Sequence, residues 1–314
     1  MRKRGNIVTQ KWQCAVDKVI HLTEQERYQL EKTFTVHSID IVKTSKEQLA
    51  HFDMFLIHTK IPNHLLEWFV GCKYIGIRAH NTDYVSSDLA EKKGIVVRGI
   101  PQAGENAVAE HTFSLIFAVA KQLFLSHQNT REGKWREGLH PNFELRGKKL
   151  GVIGYGKIGS LVAFIGQALG MNVLIASSRS HATDDQLSIE EVLRQSDIVT
   201  LHASTKNNIE PIINKKQIEM MKDGAILINT ARGSLVDYTV LKEALQSGKL
   251  LGAGLDVYPE EPNTDTLLCE LPNVVCTPHL AFYTNETISK MNQHLLDQAI
   301  DYFNNNHDTR SIPD

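Results

Sequence analysis

The sequence predicts an α/β protein made of two doubly wound parallel-sheet domains. Three observations carry this prediction. Short apolar runs alternate with helix-like segments, a glycine turn lies between one such run and a helix, and 314 residues suffice for two separate cores. Hydrophobic residues make up 42% and charged residues 22%, the balance of an ordinary globular protein. A formal charge of −2 offers no electrostatic handle for nucleic acid or a membrane surface, so the expected partner is a small molecule.

In the N-terminal third, Asp53–Ile57 and Lys73–Ile77 read as buried strands. Pro62 opens a helix between them, and Ile95–Val97 follows Gly94 as a further strand. From Asn106 to Leu125 the apolar residues Val108, Phe113, Leu115, Ile116, Val119 and Leu123 recur at helical spacing and predict one buried helix joining two domains. A polar, glycine-containing stretch, Thr130–Lys149, leads into a second βαβ series. Its strands are expected at Leu150–Ile153, Asn172–Ala176, Asp197–Leu201, Ala225–Asn229, Gly254–Val257 and Val274–Cys276. The helix around Val240–Leu245 is marked at both ends, by Asp237 as N-cap and by Gly248 just beyond it. An amphipathic run from Thr284 to Phe303 closes the chain.

Cys14, Cys72, Cys269 and Cys276 lack the Cys-x-x-Cys spacing of a zinc site or redox dithiol, so no metal is expected. Arg2-Lys3-Arg4 is not followed by the apolar stretch of about 7–15 residues that a signal peptide needs. No segment reaches the roughly 18 apolar residues of a membrane span. A cytoplasmic protein is expected.

Leu150–Ile153 runs directly into Gly154-Tyr-Gly156-Lys-Ile-Gly159 and then into a helical segment that stops at Gly170. In a strand–turn–helix unit the first glycine permits the turn, the second lets a pyrophosphate approach the backbone, and the third lets the helix pack against the strand. The helix N-terminus then faces the phosphate charge. A dinucleotide is the expected cofactor.

Three more segments end predicted strands, where open α/β sheets place their ligands. They contain Arg232 (Ile228–Gly233), Glu261 (Gly254–Pro262) and His279 (Thr277–His279). These residue types are what reduction of a 2-oxo acid requires. A guanidinium can fork onto the substrate carboxylate, an imidazolium can donate a proton as hydride arrives, and a carboxylate beside the imidazole favours its charged form.

With Glu105–His111, the glycine turn, Asn229–Asp237, Asp256–Pro262 and Thr277–His279 in this order, the chain resembles the D-isomer-specific 2-hydroxyacid dehydrogenases from about residue 50 to about residue 290. The resemblance implies a Rossmann-type cofactor domain, residues 104–283, inserted into a flavodoxin-like substrate domain made of residues 1–103 and 284–314. It further implies an active-site cleft between the domains, a homodimer, and hydride transfer between NAD(P)H and a small 2-oxo acid to give a D-2-hydroxy acid. It assigns substrate binding to Arg232, partnership with the histidine to Glu261, which precedes Pro262, and acid/base catalysis to His279. Lys157 and Ile158 would join Gly154, Gly156 and Gly159 at the pyrophosphate. Ala203, Ser204, Thr230, Ala231 and Asp256 would line the adenine-ribose and nicotinamide regions, with Val108 near the nicotinamide.

Two departures from the family pattern bear on specificity. The substrate loop, usually Arg-x-x-Gly-x-Asp, is here Arg78-Ala79-His80-Asn81-Thr82-Asp83. Asn81 tolerates a left-handed backbone and would preserve the loop, whereas His80 reads as an exposed loop residue or a substrate contact. The strand Asn172–Ala176 runs into Ser177-Ser178-Arg179, so the acid that selects NAD by repelling a 2′-phosphate is replaced by serine with a cation beside it. NADP(H) is therefore expected over NAD(H). The segment Leu280–Thr284 resembles that of D-lactate dehydrogenases, but Ala103 stands where those enzymes carry tyrosine, which leaves the acid open. A phosphorylated substrate would need further cations, and Arg78, Arg98 and Lys60 are not clustered in sequence. The alternative to an enzyme is a nucleotide-sensing binding protein on the same fold, which turnover distinguishes.

Overall fold

The computed structural model describes residues 11–177, 186–204, 210–263 and 266–306. Contacts gather the chain into two compact units, one built from residues before Gly104 and after Thr284, the other from Gly104–Thr284. The first unit begins with β1 (Trp12–Asp17), α1 (Glu24–Glu31), β2 (Phe34–Ile39), α2 (Lys46–Leu49) and β3 (Met54–Ile57). It continues with α3 (Asn63–Leu66), β4 (Tyr74–Ile77), α4 (Ser87–Lys92) and β5 (Val96–Gly99). The second unit runs through α5 (Glu105–Ala120), α6 (Leu123–Arg131), β6 (Lys149–Ile153), α7 (Lys157–Ala168), β7 (Asn172–Ala176) and α8 (Ile189–Gln195). It ends with β8 (Ile198–Leu201), α9 (Lys215–Met220), β9 (Ala225–Asn229), α10 (Tyr238–Gln246), β10 (Leu250–Leu255) and β11 (Val274–Cys276), after which α11 (Asn285–Asn306) returns to the first unit.

The five strands of the first unit are all parallel in the order β2-β1-β3-β4-β5, the flavodoxin-like arrangement. Every residue of β3 and β4 is buried, as a parallel sheet covered on both faces requires. One cover is α11, whose Phe303 ring lies 5.2 Å from both Trp12 and Phe34. On α1, Thr23 and Glu26 form a reciprocal capping box that satisfies two otherwise orphaned N–H groups.

The second unit holds six parallel strands in the order β11-β10-β9-β8-β6-β7. The chain order reverses at β6, which lies between β8 and β7. The carboxyl ends of β6 and β8 thus flank a topological switch point, where open α/β sheets take their ligands. Helices α5 and α7 pack together on this sheet and bury Leu115, Ile116, Val162 and Ala163.

Two expected elements differ from the observed ones. The helix expected over Asn106–Leu125 ends at Ala120, and Gln122 takes φ +50° before α6 departs at 58°. Side chains fix the break. Lys121 donates to the Phe143 carbonyl at 2.8 Å, and Gln122 donates to His140 O and Asn142 Oδ1, both at 2.7 Å. Leu123, expected in the core, is 51% exposed. The strand expected at Gly254–Val257 instead occupies Leu250–Leu255. Gly252 and Gly254 hide it in the sequence because they leave room for Val119 and Leu115 of α5. Among the described residues no single helix is long and apolar enough to cross a membrane, and no group of three or more His, Cys, Asp or Glu is placed to hold a metal ion.

Candidate active site

Strand β6 is buried through Ile153, so the chain must turn sharply to leave the sheet. Gly154 makes that turn at φ +97°, and a Cβ there would lie 2.5 Å from the His202 carbonyl carbon. Gly159 presses on the same turn, where its Cβ would meet Gly154 O at 2.0 Å. Gly156 caps α7 without a side-chain hydrogen bond, and nothing lies within 4 Å of the place a Cβ would occupy. The positive end of a 12-residue helix therefore has open space beside Gly156, the surroundings that a pyrophosphate needs. The residues present fit a dinucleotide.

Around this turn, Lys157 reaches back to Glu105 at 3.3 Å, and Ile158 packs against the core under α5 and α7. Ser177 follows β7 and is half-buried, while Ser178 and Arg179 lie outside the described residues. Ala203 and Ser204 follow β8, Ala203 half-buried and Ser204 exposed. Beside them His202 is neutral, because burial pushes its imidazole down to about 3. Thr230 and Ala231 follow β9, and the Thr230 hydroxyl shares a hydrogen with Thr112 at 3.0 Å. Val108 on α5 is buried.

The proposed chemistry depends on three loops that leave β9, β10 and β11. Asn229 ends β9 fully buried; its amide donates to Arg232 O at 2.8 Å and accepts from Ala231 N at 3.1 Å, which fixes the turn carrying Arg232. The Arg232 side chain is exposed and donates to Ala231 O at 2.7 Å. Gly233 lets this turn touch the next loop, since a Cβ would come 1.9 Å from the Tyr258 carbonyl carbon. That loop carries Glu261, whose Oε1 accepts from Tyr258 N at 3.0 Å and whose Oε2 lies 2.6 Å from His279 Nδ1. Burial works against the Glu261 carboxylate. The hydrogen bonds from His279 and Tyr258, with the charges of His279 and Arg232, outweigh it and hold the carboxyl below its ordinary range. The structure thus brings Arg232, Glu261 and His279 together in one unit.

His279 itself takes φ +52°. Asp256, expected along the cofactor surface, is instead fully buried, and its carboxylate accepts from Thr277 Oγ1 and from the backbone N–H groups of Leu280 and Ala281. Tyr238 and Tyr258 buttress the same loops from below. The Tyr238 hydroxyl donates to Val257 O and that of Tyr258 to Thr277 O at 3.0 Å, and burial pushes both phenols upward so that they remain neutral donors.

In the first unit the loop after β4 holds Arg78, Ala79, His80 and Asn81. Arg78, expected at the substrate, has its guanidinium buried against Asn292 Oδ1 at 3.3 Å and Val19 O at 3.4 Å, so it supports the loop from behind. Ala79 O accepts from Ile100 N at 2.9 Å. His80 is exposed, with Nδ1 3.3 Å from Ile100 O. Asn81 lacks the expected left-handed backbone, since Gln122 and His279 are the non-glycine residues with positive φ among those described; its amide donates to Asp83 instead.

Sequence reasoning left Asn229, His111 and the two tyrosines without roles. His111 hydrogen-bonds Thr277 from 166 positions away, and no local pattern announces such a contact.

A glycine turn at the switch point of a parallel sheet, with arginine and a carboxylate–imidazole pair at neighbouring strand ends, defines a dinucleotide-dependent oxidoreductase. Comparison with known proteins gives the particular family. The model of the D-isomer specific 2-hydroxyacid dehydrogenase NAD binding domain matches residues 113–281, and the chain belongs to that family. It is 37% identical to the glycerate dehydrogenase of Methylorubrum extorquens over 73% of this chain and 74% of that enzyme. It is also 37% identical to the D-3-phosphoglycerate dehydrogenase of Archaeoglobus fulgidus, of whose length it spans 45%. Among solved structures, D-lactate dehydrogenase from Aquifex aeolicus complexed with NAD and lactic acid superposes with TM-score 0.78 at 29% identity, covering 92% of this chain and 96% of that one. An acyclic imino acid reductase in complex with NADPH and D-Arg gives 0.77 at 29% identity, with the same coverage of 92% and 96%.

Proposed function

We propose that the protein reduces a small, unphosphorylated 2-oxo acid to the D-2-hydroxy acid and prefers NADPH as hydride donor. The observation that carries this reading is the contact of Glu261 Oε2 with His279 Nδ1 at 2.6 Å, the Glu261 loop abutting the turn that carries Arg232. A carboxylate can only accept, so Nδ1 carries a hydrogen and the proton that leaves for substrate comes from Nε2. A bound nicotinamide dinucleotide supplies hydride to the carbonyl carbon. His279 Nε2–H gives its proton to the carbonyl oxygen, and Glu261 offsets the imidazolium charge until that moment. Arg232 forks onto the carboxylate and orients the carbonyl. Of the three cations that could meet a phosphate, Arg78 is buried, Arg98 is exposed on β5 with its guanidinium over the Tyr302 ring at 6.0 Å, and Lys60 is exposed after β3, two strands away in the sheet; no two of them gather in one place, which favours an uncharged substituent on the substrate. We take the working form to be a cytoplasmic homodimer, consistent with exposed Leu123, Phe124 and Trp135 along one segment.

The test is a panel of pyruvate, glyoxylate, hydroxypyruvate, 2-oxobutyrate and phenylpyruvate, followed by loss of reduced-dinucleotide absorbance. At least one acid should turn over. His279→Gln should lose on the order of a hundredfold or more in kcat with dinucleotide affinity near that of the parent. Near-parental rates in His279→Gln would remove it from the acid/base role.

Cofactor choice is tested at Ser177, which follows β7 where NAD-preferring enzymes place an acid. Serine removes repulsion of a 2′-phosphate, and Arg179 adds a cation. We expect kcat/KM with NADPH to exceed that with NADH by at least about tenfold, or roughly 1.4 kcal/mol. Ser177→Asp combined with Arg179→Ala should reverse it. Equal efficiencies in the parent would refute the assignment.

A further inference from the structure

We propose that His111 is a positioning residue for the reaction: through Thr277 and the buried carboxylate of Asp256, it holds the turn that presents His279. The inference rests on His279 acting as the acid/base group. His279 carries a side chain at φ +52°, a backbone state disfavoured for L-residues that persists where surroundings impose it. The surroundings here converge on Asp256. Its carbonyl accepts from His279 N at 2.8 Å, its Oδ1 accepts from Thr277 Oγ1 at 2.6 Å and Leu280 N at 2.9 Å, and its Oδ2 accepts from Ala281 N at 2.9 Å. Four donors from the segment Thr277–Ala281 thus meet one residue that is 0% exposed, three of them on its carboxylate, as a buried polar group requires.

The Thr277 hydroxyl owns one hydrogen and gives it to Asp256, so its oxygen is left to accept. His111 Nε2 lies 3.0 Å away and supplies the donor, which assigns the His111 proton to Nε2. The same nitrogen lies 3.6 Å from Asp256 Oδ1. Burial pushes the His111 imidazole below its ordinary range against the pull of Asp256, so it serves as a neutral donor. His111 is held on α5, a 16-residue helix whose apolar face packs on β9 and β10. The relay therefore ties the turn of His279 to a rigid core element.

His111→Phe, His111→Gln and Thr277→Val test this, with kcat, KM, dinucleotide dissociation constant and melting temperature measured on the full chain. His111→Phe should lower kcat on the order of ten- to hundredfold, with the dinucleotide dissociation constant within about threefold of the parent, because small misplacements of a reacting group cost rate more than binding. His111→Gln retains an N–H donor and should recover most of kcat. Thr277→Val breaks the same link from the other side and carries the test if His111→Phe fails to fold. Parental kcat in Thr277→Val, or a glutamine variant as slow as the phenylalanine one, overturns the inference. So does a loss of dinucleotide affinity as large as the loss of kcat. A parent inactive on every 2-oxo acid overturns the functional reading and this inference with it, whereas an active parent with unaffected variants overturns this inference alone.

Discussion

Glu261 accepts from two donors of different kinds, the backbone N–H of Tyr258 that places it and the imidazole Nδ1 of His279. Its lowered titration fixes the sign of its pH effects. The ionised carboxylate contributes stability above the ordinary carboxylate range, and that contribution is lost as pH falls through the value in the folded protein. In Glu261→Gln the shape survives and the charge does not. The alkaline limb of the pH–rate profile for reduction should then move to lower pH, which steady-state rates across a buffer series measure, and an unmoved limb would detach Glu261 from proton transfer. Arg232, Glu261 and His279 were legible in the sequence because their chemistry resides in their side chains and each sits in a short motif at a strand end. Asn229 and His111 were not. Their roles consist of hydrogen bonds whose geometry exists only after folding, and for His111 the partner lies on a distant strand end. Asn81 misled for a related reason: its tolerance of a left-handed backbone is a permission, and the bond to Asp83 shows a different conformation in use.

Elements were legible where both ends carried a chemical signal. Helix α10 is the clearest case, with Asp237 Oδ1 accepting from Thr239 N at 3.0 Å and Val240 N at 3.1 Å. Two first-turn donors depend on that one oxygen, so Asp237→Ala should cost about 1 kcal/mol and lower the melting temperature, while Asp237→Asn should retain most of the stability; calorimetry separates them. An alanine variant that melts with the parent would mean that water caps the helix equally well. Periodicity placed the strands Asn172–Ala176, Ala225–Asn229 and Val274–Cys276 correctly, but it misplaced the end of α5. The apolar rhythm over Asn106–Leu125 runs on through Gln122, and only the hydrogen bonds of Lys121 and Gln122 to the later segment His140–Phe143 end α5. In β10 the reverse holds, since glycines depress the local strand signal while serving the close approach of α5.

At the scale of the molecule, the parallel α/β class followed from alternating runs and a glycine turn, and the observed sheets obey it throughout. The first unit is discontinuous in sequence. Its sheet is complete by Gly99, yet Phe303 and Asn292, which pack on Trp12 and Phe34 and bond Arg78, arrive with α11. A chain truncated after Thr284 should therefore protect Gly104–Thr284 from limited proteolysis, while the segment before Gly104 is cut readily; equal protection of both would show that α11 is dispensable. On a ribosome that adds about 5–20 residues per second, the usual order in which N-terminal domains fold first is inverted. The second unit emerges whole while the strands of the first still lack a wall, and their exposed faces must wait until α11 has followed it out, which makes that interval the one in which the nascent chain most needs a chaperone.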